Sequence, residues 1–157
     1  PDLAPILTRP PGLDAARPCE DAELIMVTTG TVTATCRQVL ADLRSQGEKV
    51  GLFKLKLFRP FPADLIGRHL KSAPKIAVID RNISFGAGGI FAQEIRAALC
   101  NQDPHPQVFG YVAGLGGRDI TPDTLVEIYN HAKNSPAPAE EAIWIGLNQE
   151  TVDSWRN

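Results

Sequence analysis

Apolar residues fall along this chain in two alternating rhythms. Short unbroken apolar runs read as strands covered on both faces, and stretches with apolar residues at steps of three and four read as amphipathic helices. Glu23 to Thr28 (ELIMVT) is the first such run, closed by Thr29 and Gly30. Thr31 then opens a helical pattern in which Val32, Cys36, Val39, Leu40 and Leu43 form one stripe, and Gly47 supplies a left-handed stop. Val50 to Phe58 (VGLFKLKLF) reads as a second strand, with Phe53, Leu55 and Leu57 on one face and Lys54 and Lys56 on the other. Pro60 ends it, and Pro62 suits the first turn of a helix whose buried stripe is Leu65, Ile66 and Leu70.

The same alternation continues. Lys75 to Ile79 (KIAVI) reads as a third strand, followed by Asp80, Arg81 and a glycine loop, Ser84 to Gly89 (SFGAGG). Ile90, Phe91, Ile95 and Leu99 mark the next helix, and Gln107 to Val112 the fourth strand. A second glycine loop, Gly114 to Asp119 (GLGGRD), leads to Thr121-Pro122-Asp123, which reads as a helix start with Thr121 as cap. Leu125, Ile128 and Tyr129 of that helix face inward, and Ala142 to Leu147 is a last strand or a docking segment, with Trp144 and Trp155 in the tail. Strands and helices in strict alternation predict a three-layer α/β/α sandwich with a mostly parallel sheet of about five strands. The organisation expected is a Pro/Ala-rich linker or arm over residues 1–21, an α/β domain over 22–134 and a carboxyl-terminal tail over 135–157.

Composition narrows the functional classes. The 157 residues carry a formal net charge of −2, with 22% charged and only 6% aromatic residues, which argues against a nucleic-acid footprint or a base-stacking platform. No apolar run reaches the roughly 20 residues a membrane span needs, so no membrane role is expected. Pro1 to Pro18 lacks the charged-then-apolar order of a signal peptide, and a start at Pro1 suggests a trimmed chain or part of a longer one. The three cysteines, Cys19, Cys36 and Cys100, are widely spaced. Cys36 and Cys100 fall inside helical patterns and suit buried thiols in a reducing cytoplasm, and the spacing of the three argues against a disulfide framework or a metal or cluster site.

In a parallel sheet, ligands and partners meet the carboxyl ends of the strands. There the sequence places Thr28 to Thr31, Phe58 to Pro62, Asp80 to Asn82 and Gly114 to Asp119. The SFGAGG segment opens a helix, so Ser84, Gly86, Gly88 and Gly89 are candidates for an anion site, against the alternative that the glycines only permit a tight turn. It is neither a dinucleotide fingerprint, since Phe91 stands where a glycine would be needed, nor a phosphate loop with a following Gly-Lys-Ser. Arg59, Arg81 and Arg118 each follow a strand. They are read as partners in internal or interdomain ion pairs, with Asp80 and Asp119 as possible internal partners, and Arg59, Phe61, Arg81, Arg118 and Asp119 are the interface candidates. His69 is read as exposed beside Arg68, and neither His105 nor His131 has a nucleophile or metal-ligand context. No catalytic residue is assigned.

Three stretches together carry a family resemblance: KLKLFRPFP at Lys54 to Pro62, VIDRNISFGAGG at Val78 to Gly89, and GLGGRDIT at Gly114 to Thr121. In order and separation they resemble the transketolase-carboxyl-terminal-like domain of pyruvate:ferredoxin oxidoreductase and its 2-oxoacid relatives, over about Glu20 to Ala132. The resemblance implies a share in an enzyme that oxidatively decarboxylates a 2-oxoacid, passes the acyl group to coenzyme A and reduces ferredoxin. It implies thiamine diphosphate, Mg and iron–sulfur clusters on other domains or subunits, none on this chain, and a scaffold role here. The alternatives are the equivalent domain of a transketolase or 2-oxoacid dehydrogenase, and a free-standing module for small anions or nucleotides.

Overall fold

The computed structural model describes residues 21–148 and Ser154. Cys19, Trp155 and nearly all of the segment read as an arm lie outside the described residues. The elements follow in the order β1 (Leu24–Thr28), α1 (Val32–Ser45), β2 (Val50–Lys54), α2 (Ala63–Leu70), β3 (Lys75–Asp80), α3 (Ile90–Leu99), β4 (Gln107–Val112), a 3₁₀ turn (Leu115–Gly117), α4 (Pro122–Asn134) and β5 (Ile143–Trp144). The strands form one sheet in the order β2-β1-β3-β4-β5, and every pairing is parallel.

Both faces of the sheet are covered, which is why its strands are apolar without alternation. Leu24 and Met26 of β1, Ala77 and Ile79 of β3 and Phe109 and Tyr111 of β4 pack beneath α1 and α4. Ile25 and Val27, Ile76 and Val78, and Val108 point the other way, into a second cluster with α2 and α3. The helical stripes read from sequence are the buried faces: Val32, Cys36, Val39, Leu40 and Leu43 in α1, and Leu125, Ile128 and Tyr129 in α4. Gly47 takes φ 89° after α1, and Thr121 Oγ1 accepts from Thr124 N at 3.2 Å to cap α4. Because α4 shares the α1 face while β5 lies beyond β4, the last crossover has the opposite hand to the earlier ones.

Two expectations need correction. The second strand stops at Lys54, not Phe58. It is an edge strand paired to β1 alone, and β1 ends at Thr28 opposite Lys54; Leu55 N still donates to Thr28 O at 2.9 Å, after which the ladder has no partner. Cys100 is not buried. It is the residue after Leu99 at the end of α3 and is exposed, whereas Cys36 is buried.

Candidate functional site

Parallel pairing brings the carboxyl ends of all five strands to one rim. The strand order reverses direction at β1, so the crevice between β1 and β3 is where such a sheet opens to a ligand. On the β1 side, Thr28 Oγ1 is bonded to Thr33 Oγ1 at 3.1 Å, tying the strand end to the first turn of α1. On the β3 side stands Asp80, fully buried. Its Oδ1 accepts from Phe91 N at 2.9 Å and its Oδ2 from Ala92 N at 3.1 Å. Asn82 Nδ2 adds a 3.2 Å bond to Asp80, and Asn82 Oδ1 accepts from Ile90 N at 3.1 Å.

The amino end of α3 is therefore supplied with acceptors from within the chain. Helix amides left free at an amino terminus attract anions; here Asp80 is that anion. Burial raises the Asp80 carboxyl above the ordinary carboxylate range, opposed by the two amide bonds, by Asn82 and by the charge of Arg96. Ser84 and Gly88 exchange backbone bonds at 2.8 and 3.0 Å, so SFGAGG forms a closed turn, with Gly86 and Gly88 at positive φ. The amides of Ile90, Phe91 and Ala92 are thus taken by Asn82 and Asp80, and those of Ser84 and Gly88 by each other's carbonyls.

The arginines separate. Arg59 Nη2 lies 2.5 Å from Glu94 Oε1, and its guanidinium carbon sits 3.9 Å from the centroid of the Phe58 ring. Phe58 in turn makes edge contacts with Phe91 and Phe61, at centroid distances of 4.9 and 6.2 Å. The FRPFP segment thus folds back on α3. Arg118 donates to Gly146 O and anchors the exit from β5. Arg81 is exposed and makes no hydrogen bond or ion pair among the described residues, as is Asp119. Neither Asp80 nor Asp119 pairs with the three arginines: Asp80 is committed to α3, and Asp119 stands exposed.

Acid–base groups are scattered. His69 is not exposed as expected but partly buried, its ring 6.0 Å from that of Phe53. His105 Nδ1 bonds Leu99 O at 3.2 Å. His131 Nδ1 meets Tyr111 Oη at 2.8 Å and Ser135 Oγ only at 3.4 Å. Cys36 lies against Met26 with its thiol pushed up to about 12 by burial, so it is no nucleophile. Among the described residues no three His, Cys, Asp or Glu gather as a metal site would require. Such residues do not fit an iron–sulfur cluster, which takes several thiolates. A cavity of about 270 Å³ opens between the ends of β1 and β2, walled by Thr29, Gly30, Lys54, Leu57, Phe58 and Phe91.

Sequence reasoning gave Asp80 another role and passed over Phe85. Asp80 was legible as a cap only through Asp80-x-Asn82 ahead of a glycine-opened helix. Phe85, inside the glycine turn, is 95% exposed.

Fold and rim define the class: a doubly wound, all-parallel α/β domain whose strand-end Asp80, Arg59 and Arg118 are spent on its own packing. Residues 22–125 match the family Pyruvate:ferredoxin oxidoreductase core domain II, and the chain belongs to this family. The pyruvate synthase subunit PorA of Methanothermobacter thermautotrophicus is 44% identical over 133 residues, 85% of this chain and 33% of that protein. The ketoisovalerate oxidoreductase subunit VorA of Pyrococcus furiosus is 36% identical over 133 residues, 83% of this chain and 34% of that protein. The chain spans about a third of the length of the curated relatives it matches. Among solved structures, a 2-oxoglutarate:ferredoxin oxidoreductase from Magnetococcus marinus shares the fold with a TM-score of 0.52 at 18% identity, over 71% of this chain and 18% of that one. A split-gene transketolase does so with a TM-score of 0.55 at 16% identity, over 72% of this chain and 38% of that one. No helix among the described residues is long and apolar enough to cross a membrane.

Proposed function

We propose that this chain is a non-catalytic structural and assembly domain of a thiamine-diphosphate-dependent 2-oxoacid:ferredoxin oxidoreductase. The observation that carries the reading is the 44% identity to a pyruvate synthase subunit across 85% of the chain. The rim supports it, because Asp80 caps α3, Arg59 and Arg118 fix its loops, and among the described residues no acid, base and nucleophile come together. On this reading the complex oxidises pyruvate or a related 2-oxoacid to the acyl-coenzyme A and reduces ferredoxin. Thiamine diphosphate, Mg and the iron–sulfur clusters belong to other domains or subunits, and coenzyme A and ferredoxin are met through the complex, in the cytoplasm. The isolated chain is inactive. Of the interface candidates, Arg81, Phe61 and Asp119 keep that role, and Arg59 and Arg118 contribute by shaping the segments that meet a partner.

The test expresses the chain from its complete reading frame together with the adjacent ones. The purified complex should reduce ferredoxin or a viologen dye with a 2-oxoacid, dependent on coenzyme A, while the 157-residue chain alone does not. Turnover by the chain alone, or thiamine diphosphate bound tightly to it, would overturn the reading.

A further inference from the structure

Three large hydrophobic side chains stand exposed among the described residues: Phe85 at 95%, Leu147 at 44% and Trp144 at 41%. They come from two segments that touch. A Cβ placed on Gly88 would lie 3.2 Å from the Ala142 Cβ, so the Ser84–Gly88 turn rests against the entry to β5, and Trp144 and Leu147 follow directly along the chain. Large apolar groups on neighbouring segments mark an interaction surface, where the same groups scattered singly would not, and the approach of Gly88 to Ala142 makes these two segments neighbours.

The corner is built to hold its shape. The paired Ser84–Gly88 backbone bonds close the turn, and Gly86 and Gly88, at φ 77° and 83°, allow it to be that tight. Gln93 of α3 donates to Ala87 O within the turn. On the other segment, Ile145 N donates to Val112 O at 3.0 Å, and Arg118 holds Gly146 O, which fixes the chain between Trp144 and Leu147. Phe85 is thus a ring carried without cover on a braced tip. A ring presented in this way is a knob, and the surface it fits is an apolar socket.

We propose that the corner formed by Phe85, Trp144 and Leu147 is the docking surface of this domain, and that it seats in an apolar socket on the part of the parent subunit outside the domain. The inference rests on the reading under Proposed function and names the contact through which that assembly is made. The relatives argue for this occupant. Matching only 33% of a PorA subunit, the chain leaves about two-thirds of such a polypeptide to be placed against it. The corner also flanks β5, the last strand of the sheet, which is paired on one side alone among the described residues.

The test compares the free chain with the complex made from the complete and adjacent reading frames. Phe85→Cys and Trp144→Cys report cover through their alkylation by N-ethylmaleimide, read peptide by peptide. Each should react about tenfold or more slowly in the complex than in the free chain, as for a side chain at the dry centre of an interface. In parallel, Phe85→Asp should leave the melting temperature of the free chain unchanged and cut the yield of complex on size exclusion by about tenfold or more. Equal alkylation rates, or an unchanged yield, would overturn the inference alone, provided that the wild-type complex forms and oxidises a 2-oxoacid. A wild-type chain that enters no complex would remove the functional reading as well. A free chain that dimerises through Phe85 would overturn the named occupant in favour of a second copy.

Discussion

A Cβ on Gly89 would lie 2.2 Å from Asp80 Oδ2 and 2.4 Å from its carboxyl carbon. The Gly89 backbone is ordinary and extended, at φ −70° and ψ 133°, so any residue could adopt it. Glycine is needed here for room and not for conformational freedom. That room lets the last residue of β3 reach across the turn and bond the first amides of α3.

Gly89→Ala should therefore act by evicting Asp80. The expected cost is about 2–4 kcal/mol, combining overpacking at a closed site with the loss of a helix cap. Urea unfolding of the free chain measures it. A variant that unfolds with the wild-type midpoint would mean that the carboxylate is not wedged between the glycine and the helix.

The relation also marks what was legible in the sequence. Apolar rhythm located the first four strands and the four α-helices, because both kinds of element bury stripes that period alone specifies. What it could not supply was non-local. Alternation runs on to Phe58, but β2 ends at Lys54 because its neighbour ends at Thr28. Asp80 looked like a partner for arginine, because nothing local shows that a strand end and a helix start are brought together over an intervening turn. The true partner of Arg59 is Glu94, 35 residues away. The tail segment left a strand and a docking segment open, and only the fold shows it as β5, paired to β4. In the SFGAGG loop the glycines drew attention to anions, while the exposure of Phe85, just ahead of them, is visible only in the folded chain.

The two described cysteines should differ sharply in reactivity. Cys100 is exposed, and Cys36 is buried with its thiol pushed up to about 12. Iodoacetamide at pH 8, followed by peptide mass spectrometry, should label Cys100 within minutes. Cys36 should be labelled only at the rate at which the domain opens, since the thiolate is the reactive form. Comparable labelling of both in the native chain would contradict the packing of α1 on β1.

Acid should unload one carboxylate and favour another. Lys133 Nζ and Tyr129 Oη, at 2.7 and 2.6 Å, hold the Glu48 carboxyl below its ordinary 4.5. A group with a lowered native pKa contributes stability above its unfolded value and loses it as pH falls through the native one. Asp80 has the opposite sign. Burial raises it from 3.8, so its contribution is full below that pH and is lost as pH climbs through the native value. Glu48→Gln should consequently be less stable than wild type at neutral pH, and the gap should close as pH drops below 4.5. Urea midpoints taken along the pH series decide this, and a gap independent of pH would rule out the Glu48 linkage.

The FRPFP segment offers a test of how the rim is braced. Phe58 and Phe91 meet edge to face at 4.9 Å and 79°, and Arg59 covers the Phe58 ring while reaching Glu94. Aromatic pairs of this kind carry about 0.5–1.5 kcal/mol beyond simple burial. A double-mutant cycle of Phe58→Leu and Phe91→Leu should return a coupling in that range. The Arg59–Glu94 pair is different, since the arginine side chain is 58% and the glutamate 30% exposed. Solvent screens it, and Arg59→Ala should cost less than about 1 kcal/mol. If instead Arg59→Ala destabilises the chain more than either leucine substitution, the segment is held down by its charge pair, and the aromatic contact is a consequence of that pairing and not its cause.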